Sequence, residues 1–338
     1  MDYSRDVFLN DQIVILDGLT GTGKTMFTPL ISSFERVQNA RFEYMFEYLC
    51  ISSKHKKITE DAYKSLLNLL SDIKLYDGLI SREVNFRPSD LSSVFKSSKS
   101  LKYLKQLFLS DGANVEKRIR LEKPILFLVT HQLLSCMDPA IKSFGKRLKI
   151  IQMVRHPAYL IDHWASYISM HGQNARDFTL WFKHKEIQIP WFAKNIRDKY
   201  INSNDYDKVV YCIYELYKTV FQLKKSETYK ENLEFVQFEK FVLNPEPTLN
   251  NLERFLNTKQ SKSTSKYLSK QKVPRDRITQ GPQKKIYKRY GLKKEKNISD
   301  KDHYFKTLSL LKKECTKEAY AVLLEMSDKY EKLFGKWF

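Results

Sequence analysis

Eight residues, Gly18-Leu19-Thr20-Gly21-Thr22-Gly23-Lys24-Thr25, constrain this chain more than any other feature. They satisfy the pattern G-x-x-x-x-G-K-[ST] in full. The apolar run QIVILD at 12–17 stands directly before them, and a helix-compatible stretch, Met26–Val37, directly after. Strand, Gly-rich turn and helix in that order make a phosphate cradle. The glycines let backbone N–H groups turn inward where a Cβ would block the turn or the ligand. The helix adds its positive N-terminal end, and Lys24 supplies a mobile cation. Thr20, Gly21, Thr22, Gly23, Lys24 and Thr25 are therefore the first candidate binding residues.

Further apolar runs place this unit in a larger sheet. ILFLV (125–129) follows Pro124, KIIQMV occupies 149–154 and LEFVQF 233–238. Each is short and rich in β-branched or large apolar residues, which suits a strand buried on both faces. Helical spacing is expected over 59–71, 90–110, 157–170, 178–199 and 206–225, after Asn244-Pro245, and over 301–334. Strands alternating with helices predict an α/β fold, a P-loop NTPase-like three-layer α/β/α sandwich around a central parallel sheet. The expected core is 1–256. Residues 257–338 read as a basic loop and a C-terminal helical extension packed on the same domain.

Composition narrows the function classes. No run of 18 apolar residues suggests a membrane span, and MDYSRDVFLN has no apolar signal region. Cys50, Cys136, Cys212 and Cys315 are scattered without metal spacing, as expected of reduced thiols in a cytoplasmic protein. The net charge is +20, and residues 257–338 hold 22 basic against 9 acidic side chains. Such a surface attracts polyanions, nucleotides among them. A nucleic-acid-binding protein ranks below an enzyme, because no helix-turn-helix, zinc or RNA-recognition signature accompanies the charge.

ATP- and GTP-using enzymes of this kind hold Mg²⁺ on an Asp that ends a second apolar strand. Here ILFLV ends at Thr130-His131, KIIQMV at Arg155 and LEFVQF at Glu239, while Asp17 precedes the loop. That weakens a kinase using Mg-ATP, which stays as the alternative. Arg155-His156-Pro157 closes a strand and opens a helix, so Arg155 forms a second anion site beside a helix N-terminus.

Three segments together resemble the PAPS-dependent sulfotransferases. The unit at 12–37 looks like that family's 5′-phosphosulfate loop, and VRHPAYLIDHWASY (154–167) like its 3′-phosphate motif. FEKFVLNPEPTLNNLERFL (238–256) is similar to its late strand-to-helix segment through Phe238, Glu239, Phe241, Pro245, Leu249, Leu252, Phe255 and Leu256; Lys240 departs. The loop departs too, with Gly21 early where a cation is common and Lys24 late where a Thr is common. His163 stands where the family places a phosphate-binding Ser, and Ser166 lies one turn on.

The resemblance implies a sulfotransferase that moves a sulfuryl group from PAPS, 3′-phosphoadenosine 5′-phosphosulfate, to a hydroxyl or amine acceptor, possibly a glycan, without a metal. Lys24 would stabilise the leaving phosphate. Arg155, His163, Ser166 and, in the loop KVPRDRITQG (272–281), Arg275 would hold the nucleotide. Two groups qualify as general base: Glu43 in ARFEYMFEYL, with Glu47 one turn on, and His131 in LVTHQLL. Glu43 is placed first.

Overall fold

A computed structural model describes residues 1–90, 92–169, 172, 175, 177–282 and 298–338. Its centre is a five-stranded sheet of β1 (Ile13–Gly18), β2 (Arg41–Phe42), β3 (Leu126–Val129), β4 (Leu148–Val154) and β7 (Leu233–Gln237), in the order β2-β3-β1-β4-β7. Every pairing in it is parallel; Leu16 faces Val129 on one side and Ile151 on the other.

Alternation along β1 shows why the sheet is the middle of three layers. Ile13 and Ile15 lie in one apolar cluster, with Leu126, Leu128 and Ile150. Val14 and Leu16 lie in another, with Phe127, Val129 and Ile151. The period of two sends neighbours to opposite faces, so both faces are buried. The three-layer α/β/α fold expected from the strand pattern is the fold observed. Helices Lys24–Ser32 and Glu246–Leu256 cover one face. Helices Tyr44–Lys54, Glu60–Leu79, Ala158–Ile168 and Asp205–Lys225 cover the other, and Lys317–Phe334 joins the same cluster.

β1 is central, and the chain runs first to one side of it and then to the other. The carboxyl edge beside β1 is therefore the switch point where open α/β sheets bind ligands. The loop after β1, Thr130-His131 after β3, Glu43 after β2 and Arg155 after β4 all emerge there.

Several elements differ from expectation. Residues 178–199 contain an antiparallel hairpin, β5 (Trp181–His184) with β6 (Ile187–Pro190), followed by a 3-10 turn over Trp191–Ile196 and a short helix at Arg197–Asn202. Lys185 and Glu186 take φ of 45° and 65°, the left-handed pair of a two-residue hairpin turn, and Ile187 and Ile189 favour a strand. The ion pair Lys183–Glu186 has a spacing that mimics a helix. Among the described residues of 90–110 the chain forms only a 3-10 turn at Val94–Lys96 and a helix at Ser100–Gln106. The expected helix at 157–170 spans Ala158–Ile168, and residue 170 lies outside the described residues. Part of the expected basic loop, 283–297, lies outside them as well. Among the described residues no helix is long and apolar enough to cross a membrane.

Candidate active site

The loop after β1 is shaped by three glycines with positive φ. Gly18, Gly21 and Gly23 take 144°, 95° and 99°. Close packing forbids a side chain at two of them: a Cβ on Gly18 would lie 2.5 Å from the Met153 carbonyl oxygen, and one on Gly23 would lie 2.6 Å from Phe238 Cδ2. The backbone amide and hydroxyl of Thr22 both donate to the Leu19 carbonyl, at 3.1 and 2.7 Å, so this hydroxyl is turned inside the loop. Trp164 Nε1 donates to the Thr20 carbonyl at 2.8 Å. Helix Lys24–Ser32 then begins with no side-chain cap and no acidic residue in its first turn. An uncapped N-terminus of this kind leaves its N–H groups for an anion.

Lys24 is buried, and its ammonium donates back to the Gly18 carbonyl. Burial lowers its pKa to about 8 against the opposing pull of Asp17 and Glu47. Thr25 is partly exposed in the same first turn.

Arg155 reaches the same loop from β4. Its Nη1 donates to the Gly21 carbonyl at 2.9 Å. The guanidinium lies over Phe238, 4.6 Å from the ring centroid, and 5.5 Å from that of Tyr159. Tyr217, from helix Asp205–Lys225, hydrogen-bonds to the Arg155 carbonyl. Arg155 Nε is buried and has no hydrogen-bond partner among the described residues. A charged donor whose buried Nε–H has no partner among the described residues suits an anionic ligand.

His163 lies beside the loop, within the field of both cations. A Cβ on Gly21 would lie 3.4 Å from its ring. Its pKa is pushed down to about 4, first by burial, then by the charges of Arg155 and Lys24. It is therefore a neutral imidazole at pH 7. Ser166 instead donates to its own helix, to the Asp162 carbonyl at 3.3 Å. Arg275 is buried against the loop helix: its guanidinium donates to the carbonyls of Gln271, Lys272 and Ile278 and contacts Met26 Sδ at 3.4 Å. It lies 5.9 Å from the Phe238 centroid, so Arg155 and Arg275 share one ring.

On the other side of β1 an acid and an imidazole meet. His131 Nδ1 lies 2.9 Å from Glu47 Oε1. The Glu47 side chain is 9% exposed and that of His131 28%. Burial raises the Glu47 pKa, while the bond and charge of His131 and the charge of Lys24 pull it back. Glu43 points elsewhere. Its carboxylate caps helix Tyr44–Lys54 through Met45 N and pairs with Lys74 Nζ at 2.9 Å.

No family model matches the chain, and no curated protein matches it. Solved structures that it resembles include sulfotransferases. A sulfotransferase domain of the Synechococcus PCC 7002 olefin synthase has a TM-score of 0.43 at 11% identity, covering 98% of each chain. One from the curacin biosynthetic pathway has a TM-score of 0.43 at 15% identity, covering 95% of this chain and 99% of that one. Sulfotransferase STF1 of Mycobacterium tuberculosis has a TM-score of 0.40 at 10% identity, covering 77% and 71%. These likenesses are remote, and the functional reading stands on the chain's own residues.

Asp17 is a residue that sequence reasoning set aside. It is fully buried, and its carboxylate accepts the Thr130 hydroxyl at 2.8 Å and the amides of Leu133 and Leu134. It thereby ties the end of β3, and His131 with it, to the phosphate loop. The sequence signal for Glu47 is its place among apolar positions. Glu47 lies on the buried stripe of its helix, with Phe46, Cys50 and Ile51. A carboxylate there needs a partner.

Proposed function

We propose that this chain transfers a sulfuryl group from PAPS to a hydroxyl acceptor. One observation carries the reading: the guanidinium of Arg155 bonds to the phosphate loop itself, at Gly21, which supports two neighbouring anion sites at one edge of the sheet. His163, which feels both Lys24 and Arg155, supports the same convergence. A donor with phosphates at both ends of one adenosine matches this pair of sites. The loop amides and Lys24 would hold the 5′-phosphosulfate. Arg155 and His163 would hold the 3′-phosphate, and Arg275 would act indirectly by steadying Phe238 and the loop helix.

The order of the two candidate bases reverses. Glu43 is committed to Lys74 and to a helix cap, whereas Glu47 orients His131. With Nδ1–H donated to Glu47, Nε2 is the lone-pair nitrogen on a partly exposed ring. In the transfer, the acceptor O–H proton passes to His131 Nε2 and the acceptor oxygen bonds to sulfur. The bond from sulfur to the 5′-phosphate oxygen breaks, and adenosine 3′,5′-bisphosphate leaves. Lys24 neutralises the charge that grows on that phosphate. The residues assigned to this step call for no metal. A cytoplasmic setting suits the four buried, unpaired cysteines.

Calorimetry with adenosine 3′,5′-bisphosphate in the presence of EDTA tests this. Binding tighter than that of adenosine 5′-monophosphate is expected. Tight Mg-ATP binding with no binding of the bisphosphate would instead make the chain a kinase.

A further inference from the structure

The surface outside His131 is built from rings. His131 stacks with Phe42 at 5.9 Å between centroids and with Tyr44 at 5.8 Å, the latter with an interplanar angle of 10°. Tyr44 continues to Phe178 at 5.2 Å and to Tyr48 at 6.3 Å. This is an open surface: Tyr44 is 36% exposed, and Met45 and Phe178 are each 54% exposed. Folding does not account for a contiguous apolar patch beside the base, and such patches mark binding sites.

Its polar atoms are mostly engaged. The Tyr48 hydroxyl donates to the Phe178 carbonyl at 2.7 Å, Glu47 is bonded to His131, and Glu43 to Lys74 and Met45 N. A polyhydroxylated ring laid here would lose water from hydroxyls that find few partners among the described residues, which is costly. A flat apolar ring would lose little and gain stacking. Its hydroxyl, at the inner edge of the stack, would meet the exposed side of His131.

Resting on the sulfuryl-transfer reading, we infer that the acceptor is an aryl alcohol whose ring lies on Tyr44 and Phe178 with its hydroxyl at His131. This replaces the glycan expected from the sequence. The phenolic O–H gives its proton to His131 Nε2 as the oxygen bonds to sulfur, and adenosine 3′,5′-bisphosphate is the leaving group. Tyr44 and Phe178 set specificity and take no proton.

The test uses the full chain, PAPS, and two acceptors, 2-naphthol and methyl β-D-glucopyranoside. The expected result is a higher kcat/KM for 2-naphthol. Tyr44→Ala and Phe178→Ala should each raise its KM by about three- to tenfold, the scale of one ring contact. Their affinity for adenosine 3′,5′-bisphosphate should stay that of the unmodified protein, which also certifies folding. Tyr44→Phe should restore the KM and Tyr44→Leu should not. If the bisphosphate binds but the glucoside is preferred, or neither alanine variant moves the KM, the aryl acceptor is overturned and sulfuryl transfer stands. If the unmodified protein does not bind the bisphosphate, both are overturned.

Discussion

The two sides of β1 carry different halves of the proposed chemistry and were built in different ways. Toward β4 lie cations and backbone amides: Lys24, Arg155 and the uncapped helix at Lys24–Ser32. Each is fixed by a short local segment, a strand running straight into a turn and a helix. Toward β3 lie Glu47 and His131, 84 residues apart in the chain and joined by one bond of 2.9 Å. In the proposed reaction the first side would bind charge and be neutral toward what attacks. The second would move a proton and be indifferent to the nucleotide. Substitutions should therefore separate into two kinds.

The largest effect is expected on the β3 side. His131→Ala should lower kcat by roughly 10²–10⁴-fold, the range for removing a positioned general base, with bisphosphate affinity unchanged. Glu47→Gln should approach it. An amide N–H facing Nδ1 favours the tautomer that protonates Nε2, which then cannot accept a proton. Single-turnover rates read both. A loss of bisphosphate affinity in either variant would merge the two sides. Lys24→Ala bridges them and should cost about 10²–10³-fold in kcat, because it acts on charge that grows during transfer.

Arg155→Ala should weaken bisphosphate binding by roughly 2–4 kcal/mol, the scale for a lost charge-assisted contact. Once saturated, the variant should keep most of its kcat. Unchanged affinity would remove Arg155 from the site.

The pH dependence sharpens the β4 side. Burial holds the Lys24 pKa down at about 8, and a bound phosphate would raise it. From about pH 7, where the phosphates are ionised, up to pH 8 the ammonium is charged before and after binding, so affinity should be flat. Above it, binding takes up a proton, and affinity should fall by up to about tenfold per pH unit. Calorimetry in two buffers of different ionisation enthalpy would measure that uptake. The slope should vanish in Lys24→Met.

How much of this the sequence disclosed follows the same division. The loop at 18–25 and Arg155 were legible because strand, turn and helix are contiguous there, and short-range rules set their geometry. The parallel sheet was legible because strands buried on both faces become uninterrupted apolar runs. β2 was missed because two residues, Arg41–Phe42, carry no periodicity. The hairpin at 181–190 was read as helix because its turn is Lys185-Glu186, with no glycine or asparagine to announce left-handed φ. The Glu47–His131 pair depends on how helix Tyr44–Lys54 docks against the end of β3, and Asp17 sets part of that docking from β1. The family resemblance of Arg41-Phe42-Glu43 put Glu43 first, and only packing distinguishes two carboxylates one turn apart.

The smallest effect therefore belongs to Glu43→Gln, and it is informative for being small. The Gln carbonyl can still accept from Met45 N, so the helix cap survives. Lys74 loses one carboxylate but keeps Glu83 at 2.7 Å, so its charge stays paired. The Glu43 and Lys74 side chains are only 10% and 18% exposed, so exchanging the charged bond for a neutral one costs about 1–2 kcal/mol, a Tm shift of a few °C in a chain of this size. kcat should change by less than about twofold, since a group bonded to Lys74 and to a helix end takes no part in proton transfer. Scanning calorimetry and single-turnover kinetics on Glu43→Gln and Glu47→Gln side by side decide the matter. If Glu43→Gln loses kcat as heavily as Glu47→Gln, the proton passes along the β2 edge, and the aromatic stack at His131 loses its claim to the acceptor.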